Sequence, residues 1–110
     1  MKVIINKLIP MKGYIAMTIW PFIFAKKELD KYTLNHENIH GEQQKELLII
    51  LFYALYILEY LIKICITFST SKAYYSISFE QEANRYEHDF NYINTRHHYT
   101  WIKYIFKVWK

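Results

Sequence analysis

The run LLIILFYALYILEYLIKICITF, from Leu47 to Phe68, constrains this chain more than any other stretch. Its length reaches the roughly 20 residues that a membrane-spanning helix needs. Glu59 and Lys63 stand inside it at i, i+4 spacing and can pair along one helix face. Such a pair is costly in lipid but tolerable against protein or at an interface. The run therefore admits two readings: the buried core helix of a small domain, or a helix that inserts into or lies on a membrane. A chain of 110 residues makes one domain, 1–110, with a single core.

The remaining composition narrows the class. Cys65 is the only cysteine, so no intrachain disulfide and no cysteine-built zinc finger can form. A lone thiol fits a reducing compartment, which places the chain in the cytoplasm or on the inner face of a membrane. The apolar run from Ile15 to Phe24 has no small-residue cleavage site after it and contains Pro21, so it reads as mature protein without a cleavable signal peptide. The net charge of +4 is modest. At the C-terminus, Lys103, Lys107 and Lys110 alternate with Trp101, Ile105, Phe106 and Trp109, which suits an amphipathic helix on an anionic surface better than a nucleic-acid groove. The expected contact is peripheral, with Trp101, Ile105 and Trp109 at a lipid interface and no nucleic-acid partner.

Local patterns predict an α+β fold in which a small N-terminal β-sheet packs on a histidine-bearing helix and a following glutamate helix. VII and GYIAMTIW read as strands joined through a turn at Pro10 to Gly13, and a further hairpin arm follows Pro21. Thr33 is a candidate N-cap for a long helix beginning LNHENIHGEQQ, which Gly41 weakens without breaking. STSKAYYS reads as a polar connection, and Ser78 as the cap of a second helix, SFEQEANRYEHDF.

NHENIHGEQQ contains H-E-x-x-H. At about 100° per residue, His36 and His40 lie about 40° apart on one helix face, one turn above each other, so both imidazoles reach one ion. Glu37 falls to the side, close enough to take a proton from water activated by that ion without ligating it. Taken alone, five residues with two free positions also fit a chance match on a polar helix start. A catalytic zinc needs a third protein ligand, and FEQEANRYEH supplies candidates about forty residues later. Glu80 and Glu82 project roughly 160° apart and cannot both face the ion. Glu80 is the favoured ligand, because its face also carries Ala83, Asn84 and Glu87: a small residue at i+3 allows close helix approach, and the polar side chain at i+4 can accept the outer N–H of a ligating histidine.

The combination resembles the gluzincins, zinc peptidases whose H-E-x-x-H ligands are completed by a glutamate on a later helix, often within E-x-x-A-D. Here that stretch reads Glu80-Gln81-Glu82-Ala83-Asn84 and is similar to the pattern of thermolysin-like, CAAX-prenyl-protease-like and β-lactam-sensor-like enzymes. The likeness covers residues 36 to about 90. It implies one Zn2+ held by His36, His40 and Glu80, Glu37 as general base, and Asn84 beside a ligating histidine in place of the family's aspartate. It further implies a peptide or protein substrate added as a strand along GYIAMTIW, and an oxyanion stabiliser for which His88 and several tyrosines are candidates. His97 and His98 read as surface residues. The expected function is a zinc-dependent metallopeptidase; the alternative is a non-catalytic, membrane-associated binding or regulatory module on the same scaffold.

Overall fold

The structure, a computed structural model, describes residues 2–6 and 15–107. The fold is α+β. Among the described residues three four-residue strands, β1 (Lys2–Ile5), β2 (Ala16–Ile19) and β3 (Phe22–Ala25), form one sheet in the order β1-β3-β2. β3 is central: it runs parallel to β1 and antiparallel to β2, with Thr18 opposite Ile23 and Ile19 opposite Phe22. The expected arm after Pro21 is thus present, joined to β2 by the two residues Trp20 and Pro21 across a cis peptide. In the sheet β3 lies between VII and the strand of GYIAMTIW; the turn proposed at Pro10 to Gly13 falls outside the described residues. Alternation along β3 buries Ile23 and Ala25 toward the helices.

Five helices follow: α1 (Lys31–Leu47), α2 (Ile49–Thr67), α3 (Thr70–Ser76), α4 (Ser78–Tyr86) and α5 (Tyr92–Thr95), then a 3-10 segment at Thr100–Tyr104. α1 runs unbroken through Gly41, but its N-cap is Asp30 rather than Thr33. The Asp30 carboxylate accepts the Thr33 backbone N–H at 2.7 Å, so Thr33 supplies an orphan donor of the first turn instead of an acceptor for it. STSKAYYS is helix α3, capped by Ser69, which accepts the Lys72 N–H. Ser78 is the first residue of α4 and not its cap. Its backbone N–H and its hydroxyl both donate to Glu59 of α2, at 2.7 and 2.6 Å, so the helix end is satisfied by a carboxylate from a neighbouring element.

Two buried clusters hold these elements together. Phe52, Ile77, Phe79 and Trp101 form one, with Phe79 centred 4.6 Å from both Phe52 and Trp101. Ile39, Ala83 and Tyr92 form the other, where the small Ala83 side chain seats α4 closely on α1. Trp101 is only 7% exposed and its indole N–H donates to Glu46. Its expected place at a lipid interface is therefore corrected: a ring packed on Phe79 cannot also enter a membrane, and Ile105 packs beside it. Trp109 and Lys110 lie outside the described residues.

Leu47 to Phe68 also departs from the reading of a buried core helix. α2 is long and apolar enough to cross a membrane, yet within it only Phe52 and Lys63 are buried. Leu48, with φ 65°, separates α1 from α2 by a single residue. Such a conformation costs a non-glycine residue on the order of 1–3 kcal/mol.

Candidate metal centre

α1 carries His36, Glu37 and His40 on the side that meets α4 and β2, and α4 brings Glu80 to them. Glu80 Oε1 lies 3.0 Å from His36 Nε2 and 3.2 Å from His40 Nε2, and the two Nε2 atoms are 3.2 Å apart. Tetrahedral zinc with bonds of roughly 2.0–2.1 Å sets its ligand atoms about 3.3 Å apart, so the triangle has the spacing of such a site. The carboxylate of Glu37 also lies within 4.8 Å of the imidazole nitrogens. It is engaged elsewhere, however: the Thr18 hydroxyl donates to Glu37 Oε1 at 2.9 Å.

The outer partners decide which nitrogens face the centre. Glu87 Oε1 lies 3.2 Å from His36 Nδ1, and a carboxylate can only accept, so that nitrogen carries the proton. Gln43 donates its amide NH2 to Phe79 O and to Glu82, which turns its carbonyl oxygen toward His40 Nδ1 at 2.8 Å. Both imidazoles therefore hold Nδ1–H outward and aim Nε2 at each other and at Glu80. Three acceptors converge, an arrangement that positive charge between them relieves. Protons on the imidazoles can satisfy the two edges to Glu80 but leave the edge between the histidines repulsive; a single metal ion satisfies all three.

Electrostatics favour a cation here. Burial pushes the His40 pKa down, but the charge and hydrogen bond of Glu80 outweigh it and raise it to about 9. His36 is raised for the same reason, against burial and the neighbouring His40. For Glu80, burial works upward and is overcome by the two histidines, which hold its carboxyl well below the usual range. The Tyr56 hydroxyl donates to Glu80 Oε2 at 2.5 Å, leaving Oε1 alone to face the histidines.

Other expected residues lie apart. Asn84 lines a separate depression with Tyr75, Gln81, Arg85 and Tyr104, so its expected contact with a ligating histidine is corrected. Those contacts belong to Glu87 and Gln43. His88 is exposed and packs on the Tyr32 ring at 4.4 Å, and it is not among the residues that line the cleft at the centre, so its candidacy as oxyanion stabiliser is not supported. Glu82 points away from the histidines, fully buried, toward Arg96, Tyr92 and Gln43. His97 and His98 are exposed.

A cleft of about 220 Å³ reaches Glu37, His40 and Glu80 between β2 and α2, walled by Met17, Phe52, Tyr53 and Tyr56. Sequence reasoning did not single out Thr18, Gln43 or Tyr56. Gln43 was legible, one turn after His40 on the same face; Thr18 and Tyr56 come from other elements and carry no local signal. No family model, curated protein or solved structure matches this chain.

Proposed function

We propose that this protein is a zinc-dependent metallopeptidase of the gluzincin type, holding one Zn2+ on His36 Nε2, His40 Nε2 and Glu80 Oε1. The observation that carries the reading is the convergence of His36 Nε2, His40 Nε2 and Glu80 Oε1 at 3.0–3.2 Å, with His40 and Glu80 buried and His36 half-buried. When bound, zinc supplies Lewis acidity toward a peptide carbonyl and makes water a stronger acid. Glu37 lines the cleft beside His40, and the Thr18 hydroxyl fixes its carboxylate, so it acts as the general base that takes a proton from water and returns it to the leaving amine. Tyr56 and Gln43 hold Glu80 and His40 in orientation.

The substrate reading rests on the edge of β2. Lys26 N–H bonds to Ile15 O, so ladder alternation turns the N–H and C=O of Ala16 and Thr18 away from β3 and toward the cleft. The Gln44 amide already occupies the far end, donating to Thr18 O and accepting from Trp20 N–H at 2.7 Å each. Among the described residues no backbone partner of Ala16 is seen on that side, so it is available to pair with an extended peptide laid beside the proposed metal ligands.

Elemental analysis and peptide-cleavage assays test the assignment. We predict about one zinc per chain, lost in His40→Ala. Glu37→Gln is expected to keep its zinc while turnover falls by about 10²–10⁴-fold. Stoichiometric zinc in His40→Ala, or undiminished turnover in Glu37→Gln, contradicts it. A wild-type protein that holds zinc and cleaves no peptide points instead to a non-catalytic module.

A further inference from the structure

We propose that the outward face of α2 docks on a lipid bilayer with the helix axis in the membrane plane. Ile50, Ile57, Leu58, Leu61, Ile62 and Ile66 are each more than half exposed, and they recur at the three- and four-residue spacing that makes one continuous helical face. Phe68 closes it at 91% exposed. Soluble monomers rarely present an apolar surface running the length of a helix of 19 residues.

Charge placement identifies the occupant. The two ionised residues of α2 are both turned inward: Lys63 is 3% exposed and donates to Glu59, to Ser76 O and to Lys107 O, while Glu59 accepts from Ser78. The outward face is left with no charge at all. Basic side chains stand at its two ends, Lys45 in the last turn of α1 and Lys72 in the first turn of α3, both exposed, with Lys45 also paired to Glu42. An uncharged apolar face between lysines, on a chain of net charge +4, matches acyl chains flanked by anionic headgroups. A second protein chain would ordinarily meet a polar rim along the sides of such a face.

The in-plane orientation follows from what lies behind α2. The molecule measures 35 × 33 × 25 Å, comparable to the roughly 30 Å of a hydrocarbon core, and Tyr56 of mid-α2 bonds to Glu80. Were α2 to cross the bilayer, the metal centre and the charged surface behind it would sit at membrane depth, at prohibitive cost. Lying flat, α2 immerses only its apolar face. Ile57 belongs both to that face and to the cleft wall, so on the peptidase reading the cleft opens at the membrane surface and its substrates are peptides held there.

The test reads docking alone. Cys65, exposed on α2, is labelled in the full chain with an environment-sensitive fluorophore, as is Ile50→Cys in a Cys65→Ser background, and each is mixed with phosphatidylcholine–phosphatidylglycerol vesicles. Both probes are expected to shift to the blue and to be quenched equally, more by shallow than by deep brominated lipids. Leu58→Glu with Ile62→Glu should abolish the shift while zinc content and the circular-dichroism spectrum stay unchanged. No shift on adding vesicles, or a shift that follows protein concentration without lipid as for a second copy, overturns the proposal. Unequal depths at the two positions overturn the in-plane orientation. Zinc content and peptide cleavage are measured separately, so failure here is distinguishable from failure of the peptidase reading.

Discussion

α1 and α2 are consecutive helices separated by one residue, yet they invert the usual relation between polarity and burial. The buried residues of α1 are Asn35, Glu37, Ile39, His40, Gly41, Gln43 and Gln44; those of α2 are Phe52 and Lys63. The polar helix is inside and the apolar helix is outside. Burial of so many polar groups is tolerable because they answer one another: among the described residues no buried side-chain nitrogen or oxygen lacks a partner. Asn35 donates to the backbone oxygens of Tyr86, Glu87 and Asp89 at the end of α4 and just past it, and Gln44 stitches α1 to β2. Arg96 joins Glu46 to Glu82, and Glu82 in turn accepts from Gln43 beneath His40. The lesson is that the interior is built around a polar centre, while apolar surface is displaced to the outside of the domain.

The largest effect should come from breaking the polar interior. Glu82→Ala removes a carboxylate that is fully buried between Arg96, Tyr92 and Gln43, and leaves the guanidinium half-compensated. We predict a loss of about 3–5 kcal/mol, read as a fall in melting temperature of more than about 10 °C. A melting temperature within a few degrees of wild type would mean that the network is incidental to the fold.

Glu87→Ala sharpens the comparison at the candidate metal centre itself. It takes away the acceptor of His36 Nδ1–H without touching a proposed ligand, so zinc affinity is expected to weaken about 10–100-fold with little change in folding. Competition against a chelator measures it, and unchanged affinity removes Glu87 from the centre. On the apolar side, Leu58→Glu replaces a side chain that is 54% exposed; thermal stability in lipid-free solution should stay within about 0.5 kcal/mol of wild type. A drop of several kcal/mol there would show that α2 is covered by the protein's own chain. The smallest effect belongs to Asn84→Asp, which is expected to leave zinc affinity unaltered because Asn84 faces another depression; tighter zinc binding would return Asn84 to the histidines.

Much of the centre was legible because its spacing is local. Two histidines four apart on a helix must share a face, and Glu80 and Glu82 must oppose each other, so the presence of Glu80 at the histidines and of Glu82 behind them follows from helical geometry once α4 packs on α1. Ala83 at that contact was legible for the same reason. Asn84 was misplaced by one step of rotation: it is close to Glu80 in angle, yet Glu87, a further turn along, reaches His36.

What the sequence by itself determined is therefore what a single backbone period dictates: the α+β class, the pairing of His36 with His40, the opposition of Glu80 to Glu82, and the existence of α2. Only the tertiary structure decided which surfaces those elements share. The N-cap of α1 moved from Thr33 to Asp30, and the first N–H of α4 is met by Glu59 rather than capped by Ser78, since an orphan N–H donates to any suitably placed oxygen and Glu59 is distant in sequence. β3 took the centre of the sheet because strand order depends on long-range pairing, which no local pattern encodes. Trp101 went to the core and the apolar face of α2 to the outside because hydrophobicity is non-directional: it requires that apolar surface leave water, and does not specify whether Phe79 or another apolar phase receives it.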